Sequence, residues 1–396
     1  MKKIGIIGGG ASGLMCAIYL QQMLSTQAKV IIIEKMDRVG KKILATGNGK
    51  CNLSNQDISE KYYNTPFVKS ILQVYQVETI QQDMLKLGLL TYTDQAGRIY
   101  PATESANTVL DVLMMNLKRL QIDIRTSTLV EQVISHQKGY KIKTSGQDIE
   151  VDIAIFATGG KSAAYLGSNG EGYQLMQKLG VQMSDLHPGL VGLKTIKADI
   201  KGLNGLRQKV EVEIEQKDGR CIFQERGEIQ FKEDGVSGIV IMNASRIIQR
   251  LKSPFDIYIR FLPNFDKKAI QALIEKGIEQ QKTILEILMG ILPKMLAQKI
   301  ISMAQDIDTI INYIMHYPLH IIGDYGYERS QITLGGVALQ EVSDSLELIK
   351  YPHAYVIGEL LDIDGICGGY NLHFAFASAK QVAKHIAQQQ KEEKIC

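Results

Sequence analysis

Three glycines and one acid give this chain its clearest chemistry. Gly8, Gly10 and Gly13 lie in the run Gly8-Gly9-Gly10-Ala11-Ser12-Gly13, and Glu34 follows about twenty residues after the turn. In this spacing Gly8 permits a tight turn, Gly10 lets a pyrophosphate approach the backbone, and Gly13 allows a helix to pack closely on a strand. Amides at the helix start then offer donors and partial positive charge to the phosphates, while Glu34 can accept hydrogen bonds from ribose hydroxyls. Candidates for redox or proton chemistry stand far away in sequence: Cys51, Cys367 and His373. Free cysteines are commonly inert apolar residues and a histidine at a helix start is often only a packing residue, so neither type alone makes a site.

The flanking sequence supplies the elements that a dinucleotide turn needs. Lys3 to Ile7 is an apolar strand, Leu14, Ala17, Ile18 and Leu20 recur at helical spacing, and Val30-Ile31-Ile32-Ile33 is a second strand ending at Glu34. Lys2 and Lys3 before an apolar stretch also suggest a signal peptide, but three consecutive glycines and the matching strand argue for folded structure. Residues 38 to 52 are dense in Gly, Asn and Thr and read as a conformationally special loop. Helices are expected over 67–90 and 105–120, and strands from 122 to 156, the last running into Ala157-Thr158-Gly159-Gly160. Residues 190 to 262 alternate in β fashion with a hairpin at Asp218-Gly219. Residues 266 to 316 are helical, with Pro293 at a helix start. Tyr317 to Gly323 returns to β structure, and a final helix is expected over roughly 371–388, directly after Gly368-Gly369.

With 396 residues the chain can bury a large core, and a net charge of +3 gives no nucleic-acid footprint. Lys41-Lys42 and Lys267-Lys268 are short basic pairs on solvated faces. No stretch is apolar enough for a membrane helix. The five cysteines (Cys16, Cys51, Cys221, Cys367 and Cys396) show neither CxxC nor metal-ligand spacing, which points to a reduced, cytoplasmic protein without a metal centre.

These segments together resemble the HI0933-like or BaiN-type flavoproteins, described as NAD(P)/FAD-dependent oxidoreductases. The resemblance runs through Gly8 to Gly13, Thr46 to Asn52, Gly97 to Pro101, Ala157 to Gly160, Gly235 to Gly238 and Gly358 to Leu372. It implies an α/β fold: a glutathione-reductase-like FAD-binding Rossmann domain (1–190 and 330–396) interrupted by an inserted β-barrel-like domain (191–265) and a helical subdomain with a return strand (266–329). It also implies FAD contacts at Gly8, Gly10, Ala11, Ser12, Gly13, Glu34, Lys35 and Lys42. Further contacts are implied at Thr46, Gly47, Asn48, Cys51, Asn52, Val130, Ala157, Thr158, Gly159 and Gly160. Gly358 and Glu359 would approach the ribityl chain, and Gly369, Tyr370, Asn371 and Leu372 would flank the flavin ring. Lys50 stands where the family usually has arginine and His373 where it has glutamine, departures that bear on substrate rather than cofactor.

The function implied is hydride transfer through flavin N5 between NADH, NADPH or an organic substrate and a small-molecule partner, with no nucleic acid or membrane involved and no oligomeric state assigned. Tyr100, Tyr370 and Arg98 are candidates for the substrate side, and the insert for substrate selection. Two other readings stay open. An NAD-binding dehydrogenase would use the single N-terminal site but leave the C-terminal glycine segment without a purpose, and a non-catalytic flavin-binding redox sensor would keep the cofactor without turnover.

Overall fold

The computed structural model describes residues 1–251 and 255–392; Cys396, counted above, lies outside the described residues. Two compact units emerge, Met1–His187 with Ile332–Cys396, and Pro188–Gln331.

In the first unit the near-continuous apolar runs form a parallel sheet buried on both faces, as such runs require. Its strand order is Ala354–Val356, Ile153–Phe156, Lys2–Ile7, Ala28–Ile33, Asp123–Arg125, with every neighbouring pair parallel. The helix Ala11–Leu24 follows the first strand and packs against the last helix, Tyr370–Glu392, so both ends of the chain share one core. An antiparallel meander of Val130–His136, Gly139–Thr144 and Ile149–Val151 leaves the sheet and returns to it. This is a Rossmann-type dinucleotide unit of glutathione-reductase character, made from both ends of the sequence.

The second unit holds a seven-stranded antiparallel sheet ordered Tyr317–Leu319, Phe255–Arg260, Arg207–Gln216, Cys221–Phe231, Gly235–Ser237, Leu193–Thr195, Ile321–Asp324. The two outermost strands are separated only by His320, so one continuous stretch of chain joins the sheet's two edges and closes it in the manner of a barrel. The helices Lys267–Glu279, Ile284–Leu288, Lys294–Met303 and Ile307–Met315 share a single core with these strands, through residues such as Ile274, Leu296 and Ile311 against Val212, Ile257 and Phe261. The strand and helix portions of the insert are therefore one body. Asp266 and Asp306 cap two of these helices from their side chains, Thr283 and Glu286 form a capping box on a third, and Pro293 precedes the fourth.

The structure departs from the sequence expectations in three places. The stretch 190–262, read as β throughout, contains the helix Ile239–Ile248, which buries Val240, Ile241 and Ala244 on one face. A short run of β-branched residues fits a strand or a buried helix equally, and here Gly238 at φ 107° turns the chain into the helix. The loop 38–52 includes the short helix Lys41–Ala45 before its irregular part. The final helix runs Tyr370–Glu392, longer than expected.

Candidate functional site

Close backbone packing explains the glycines at the first turn. A side chain at Gly8 would meet the Ala157 carbonyl oxygen at 2.4 Å, and one at Gly13 would meet the Gly8 carbonyl oxygen at 2.0 Å. At Gly10 the situation is the opposite: beyond the adjoining backbone, no described residue comes within 4 Å of the position a Cβ would take. Gly10 is also the N-cap of Ala11–Leu24 and no side chain caps that helix, so its first amides face open space. Glu34 stands beside this turn, accepting from the Gly9 amide at 2.8 Å and from the Met36 amide at 2.9 Å.

Gly8, Glu34, Lys35, Val130 and Thr158 line one open cleft. Thr128, Leu129, Gly167, Asn169, Glu171 and Leu175 also line it, and motif spacing marks none of them. Lys35 reaches Glu171 at 2.6 Å and also Asn169. Burial pushes the Glu171 carboxyl up, but hydrogen bonds from Lys35 and Asn169, with the Lys35 charge, more than offset this and hold it below the usual range. The dense turn Ser168-Asn169-Gly170-Glu171-Gly172 is the sequence signal that could have revealed this lining. Thr158 fills the space that a Gly172 side chain would need, and its buried hydroxyl has no hydrogen-bond partner.

A second cluster centres on Glu359. Its Oε1 accepts from the Thr333 amide and its Oε2 from Lys42, both at 2.8 Å, while Gly160 leaves room for the Thr333 and Glu359 side chains. Gly358 sits at φ 68° against Ser12 and donates its amide to the Ser378 hydroxyl.

The third cluster is the loop 46–55 against the glycine pair before the final helix. Gly47, Asn48, Gly49 and Cys51 all have positive φ. Gly369 approaches the Ser54 carbonyl so closely that a Cβ would lie 2.4 Å from it and 2.8 Å from Asn52 Oδ1. That Asn52 oxygen is buried and without a partner. Ala11, Thr46, Ala157 and Gly159 belong to the same turns as these residues. Thus a dinucleotide has an open helix start, and an orphaned buried polar atom stands in each of the Thr158 and Asn52 groups. These residues fit FAD.

Several candidates turn out to hold the protein together. His373 is fully buried; its Nε2 donates to the Tyr75 carbonyl at 2.9 Å, which leaves Nδ1 to accept from the Ser54 hydroxyl at 2.8 Å. Burial lowers its pKa to about 4. With both ring nitrogens engaged, the ring has none for proton exchange with a substrate, contrary to the general acid–base candidacy. Asn371 spends its side chain on Gly365, accepting from the amide at 2.8 Å and donating to the carbonyl at 2.9 Å. Tyr370 is buried against Tyr62 and Tyr63, and Leu372 packs on the core. Arg98 pairs with Asp94, Tyr100 is buried, and Lys50 pairs with Glu104 at the surface.

Cys51 is buried, and burial pushes its thiol up to about 11, so it is not a thiolate near neutral pH. Cys16, Cys51, Cys221 and Cys367 form no disulfide. We expect Cys51 to stay unreacted with a disulfide reagent at pH 8 in the native protein and to react once denaturant is added. Rapid native labelling mapped to Cys51 by mass spectrometry would contradict its burial. Among the described residues Glu213, Glu215 and His316 are the only group close enough to share a metal ion, and they lie away from all three clusters in sequence and unit. No helix among the described residues is long and apolar enough to cross a membrane.

A family model described as the HI0933-like protein Rossmann domain matches residues 2–385. The chain is 34% identical over 401 residues to the 3-dehydro-bile acid delta(4,6)-reductase of Clostridium scindens, covering 96% of this chain and 97% of that protein. It is 27% identical to the ribosomal RNA dihydrouridine synthase of Haemophilus influenzae, covering 97% and 98%, and 25% identical to the one of Escherichia coli, covering 96% and 97%.

Proposed function

This chain belongs to the HI0933-like family of flavin-dependent oxidoreductases, and on that premise we propose that it reduces a carbon–carbon double bond conjugated to a carbonyl, with FAD as cofactor and NADH or NADPH as electron donor. The observation that carries the cofactor assignment is the uncapped, unobstructed helix start at Gly10 beside Glu34. The reaction class draws on what the relatives have in common. A 3-dehydro steroid unsaturated at positions 4 and 6, and a uracil ring, both carry an alkene polarised by a carbonyl.

When bound, FAD supplies a hydride at N5. The amides opening Ala11–Leu24 would hold the pyrophosphate and Glu34 the adenosine ribose. The Thr158 hydroxyl and the Lys35–Glu171 pair line the nucleotide end. Glu359, fixed by Lys42 and the Thr333 amide, would meet the ribityl hydroxyls. The amide oxygen of Asn52 and the backbone after Gly369 would meet the ring, where the helix dipole favours the anionic reduced form. We assign His373 to positioning: it ties Ser54, two residues from Asn52, to the Tyr75 backbone.

The purified protein should show flavin absorbance, lose it under anaerobic NADH or NADPH, and regain it when a conjugated enone is added without oxygen. A 4,6-dienone steroid and a uridine-containing RNA are the first substrates to compare, with a saturated ketone as control. Flavin that is reduced but reoxidised by oxygen alone would count against the alkene reading. A protein whose flavin is never reduced by either nicotinamide would favour a different donor.

A further inference from the structure

The chain's small net charge conceals one local concentration of cations on the barrel. Lys194, Lys232 and Arg329 come from three separate segments and converge on the ring of Tyr325, at 5.7, 5.4 and 5.2 Å from its centroid. Among the described residues, no carboxylate forms an ion pair with any of the three. Asp234 is the acid beside them; its carboxylate accepts the Tyr325 hydroxyl at 2.6 Å, and that bond together with the Lys194 and Arg329 charges holds it below the usual carboxylate range. The ring is built into the surface. A side chain at Gly192 would lie 2.9 Å from it, one at Gly235 would lie 2.8 Å from its hydroxyl, and the Tyr325 amide donates to the Gly192 carbonyl at 3.2 Å. The strands fix the cations too, since Lys194 is registered opposite both Gly235 and Gly323.

Three cations around one aromatic ring outnumber the single Asp234 carboxylate beside them, and the remaining positive charge favours a bound anion. Cation–π contact offsets part of the repulsion among the cations. We propose that Lys194, Lys232 and Arg329, braced on Tyr325, form a binding site for the phosphate group of a nucleotide ligand. Lysine supplies point charge to such a group and arginine a planar fork suited to two of its oxygens. A nucleic-acid strand and a nicotinamide dinucleotide both carry this chemistry. The site lies wholly within the Pro188–Gln331 unit and does not require the alkene reading to hold.

The test uses the full-length FAD-loaded protein and three probes: a labelled single-stranded uridine-rich RNA, NADPH and inorganic pyrophosphate, each at low and moderate salt. The variant K194Q/K232Q/R329Q is expected to bind the RNA or NADPH at least about 30-fold more weakly. For RNA, the slope of log affinity against log salt should fall by about two, as expected for three lost cations on a single strand. A loss confined to RNA identifies a strand as the ligand, and a loss confined to NADPH identifies the dinucleotide. Flavin absorbance and circular dichroism report folding of the variant. Should it fail to fold, R329Q at its exposed position is decisive, with an expected loss of about threefold. Wild-type protein that binds none of the three probes, or folded variants that bind all of them unchanged, would overturn the proposal.

Discussion

Alanine in place of Gly10 leaves the cofactor-free protein folded and yet weakens FAD binding at least about tenfold, or roughly 1.4 kcal/mol. The reason is that, beyond the adjoining backbone, no described residue stands within 4 Å of the new methyl group, and a bound pyrophosphate would need that space. Gly10 has φ −85°, so alanine is not strained there, and the fold loses only the usual difference of about 1 kcal/mol between glycine and alanine at an N-cap. Valine at Gly13 behaves differently. Its Cβ would lie 2.0 Å from the Gly8 carbonyl oxygen, so strand and helix must separate, and both the apoprotein's melting temperature and FAD retention fall sharply. Thermal melts of the stripped proteins, paired with FAD titrations, separate the two effects. A G10A protein that keeps FAD as tightly as wild type would mean that no pyrophosphate lies at this turn.

The second large effect is on stability against pH, through His373. Its folded pKa is lowered from 6.5 to about 4 by burial, so the unfolded chain binds a proton that the folded one refuses between those values. The stability that depends on a neutral ring is therefore fully present above pH 6.5 and is lost as pH falls through the folded pKa. At 1.36 kcal/mol per unit the loss is roughly 3 kcal/mol. Changing His373 to Gln, which can still donate to the Tyr75 carbonyl and accept from Ser54, should remove this acid-side slope. Changing it to Leu orphans both partners and should cost about 3 kcal/mol at pH 7.5. Denaturant titrations at several pH values measure each term, and identical slopes for wild type and H373Q would show that this ring does not titrate with folding.

The parts of the site legible in the sequence are those that act over short distances along the chain. The glycine turn, Glu34 and the strand before Ala157 could be read because each belongs to one continuous segment with a fixed period. The partners that complete them are remote. Lys42 meets Glu359 and Lys35 meets Glu171 only after the sheet has formed, and no local pattern encodes either pair. His373 invited a catalytic reading because a histidine at a helix start near glycines looks exposed. Its burial depends on Ser54 and Tyr75, which the fold brings to it from the other end of the chain. The helix Ile239–Ile248 was hidden for another reason: Ile239, Val240 and Ile241 favour strands intrinsically, and packing on the barrel overrides that preference.

The division of the dinucleotide unit between the two chain ends sets an order on biosynthesis. A ribosome releases Lys2–Ile7, Ala28–Ile33, Asp123–Arg125 and Ile153–Phe156 first, then the whole of Pro188–Gln331, and only afterwards Ala354–Val356 and Tyr370–Glu392. The barrel strands are all present once Asp324 has emerged, whereas the sheet waits for its fifth strand and Ala11–Leu24 for the helix it packs against. Until then the nascent N-terminal half carries an uncovered apolar surface, the kind of surface that recruits chaperones and proteases. Glu359 also arrives in this last portion, so its bonds to Lys42 and the Thr333 amide form only when translation is nearly complete. Chains that terminate before residue 354 lack both the fifth strand and the helix that covers Ala11–Leu24.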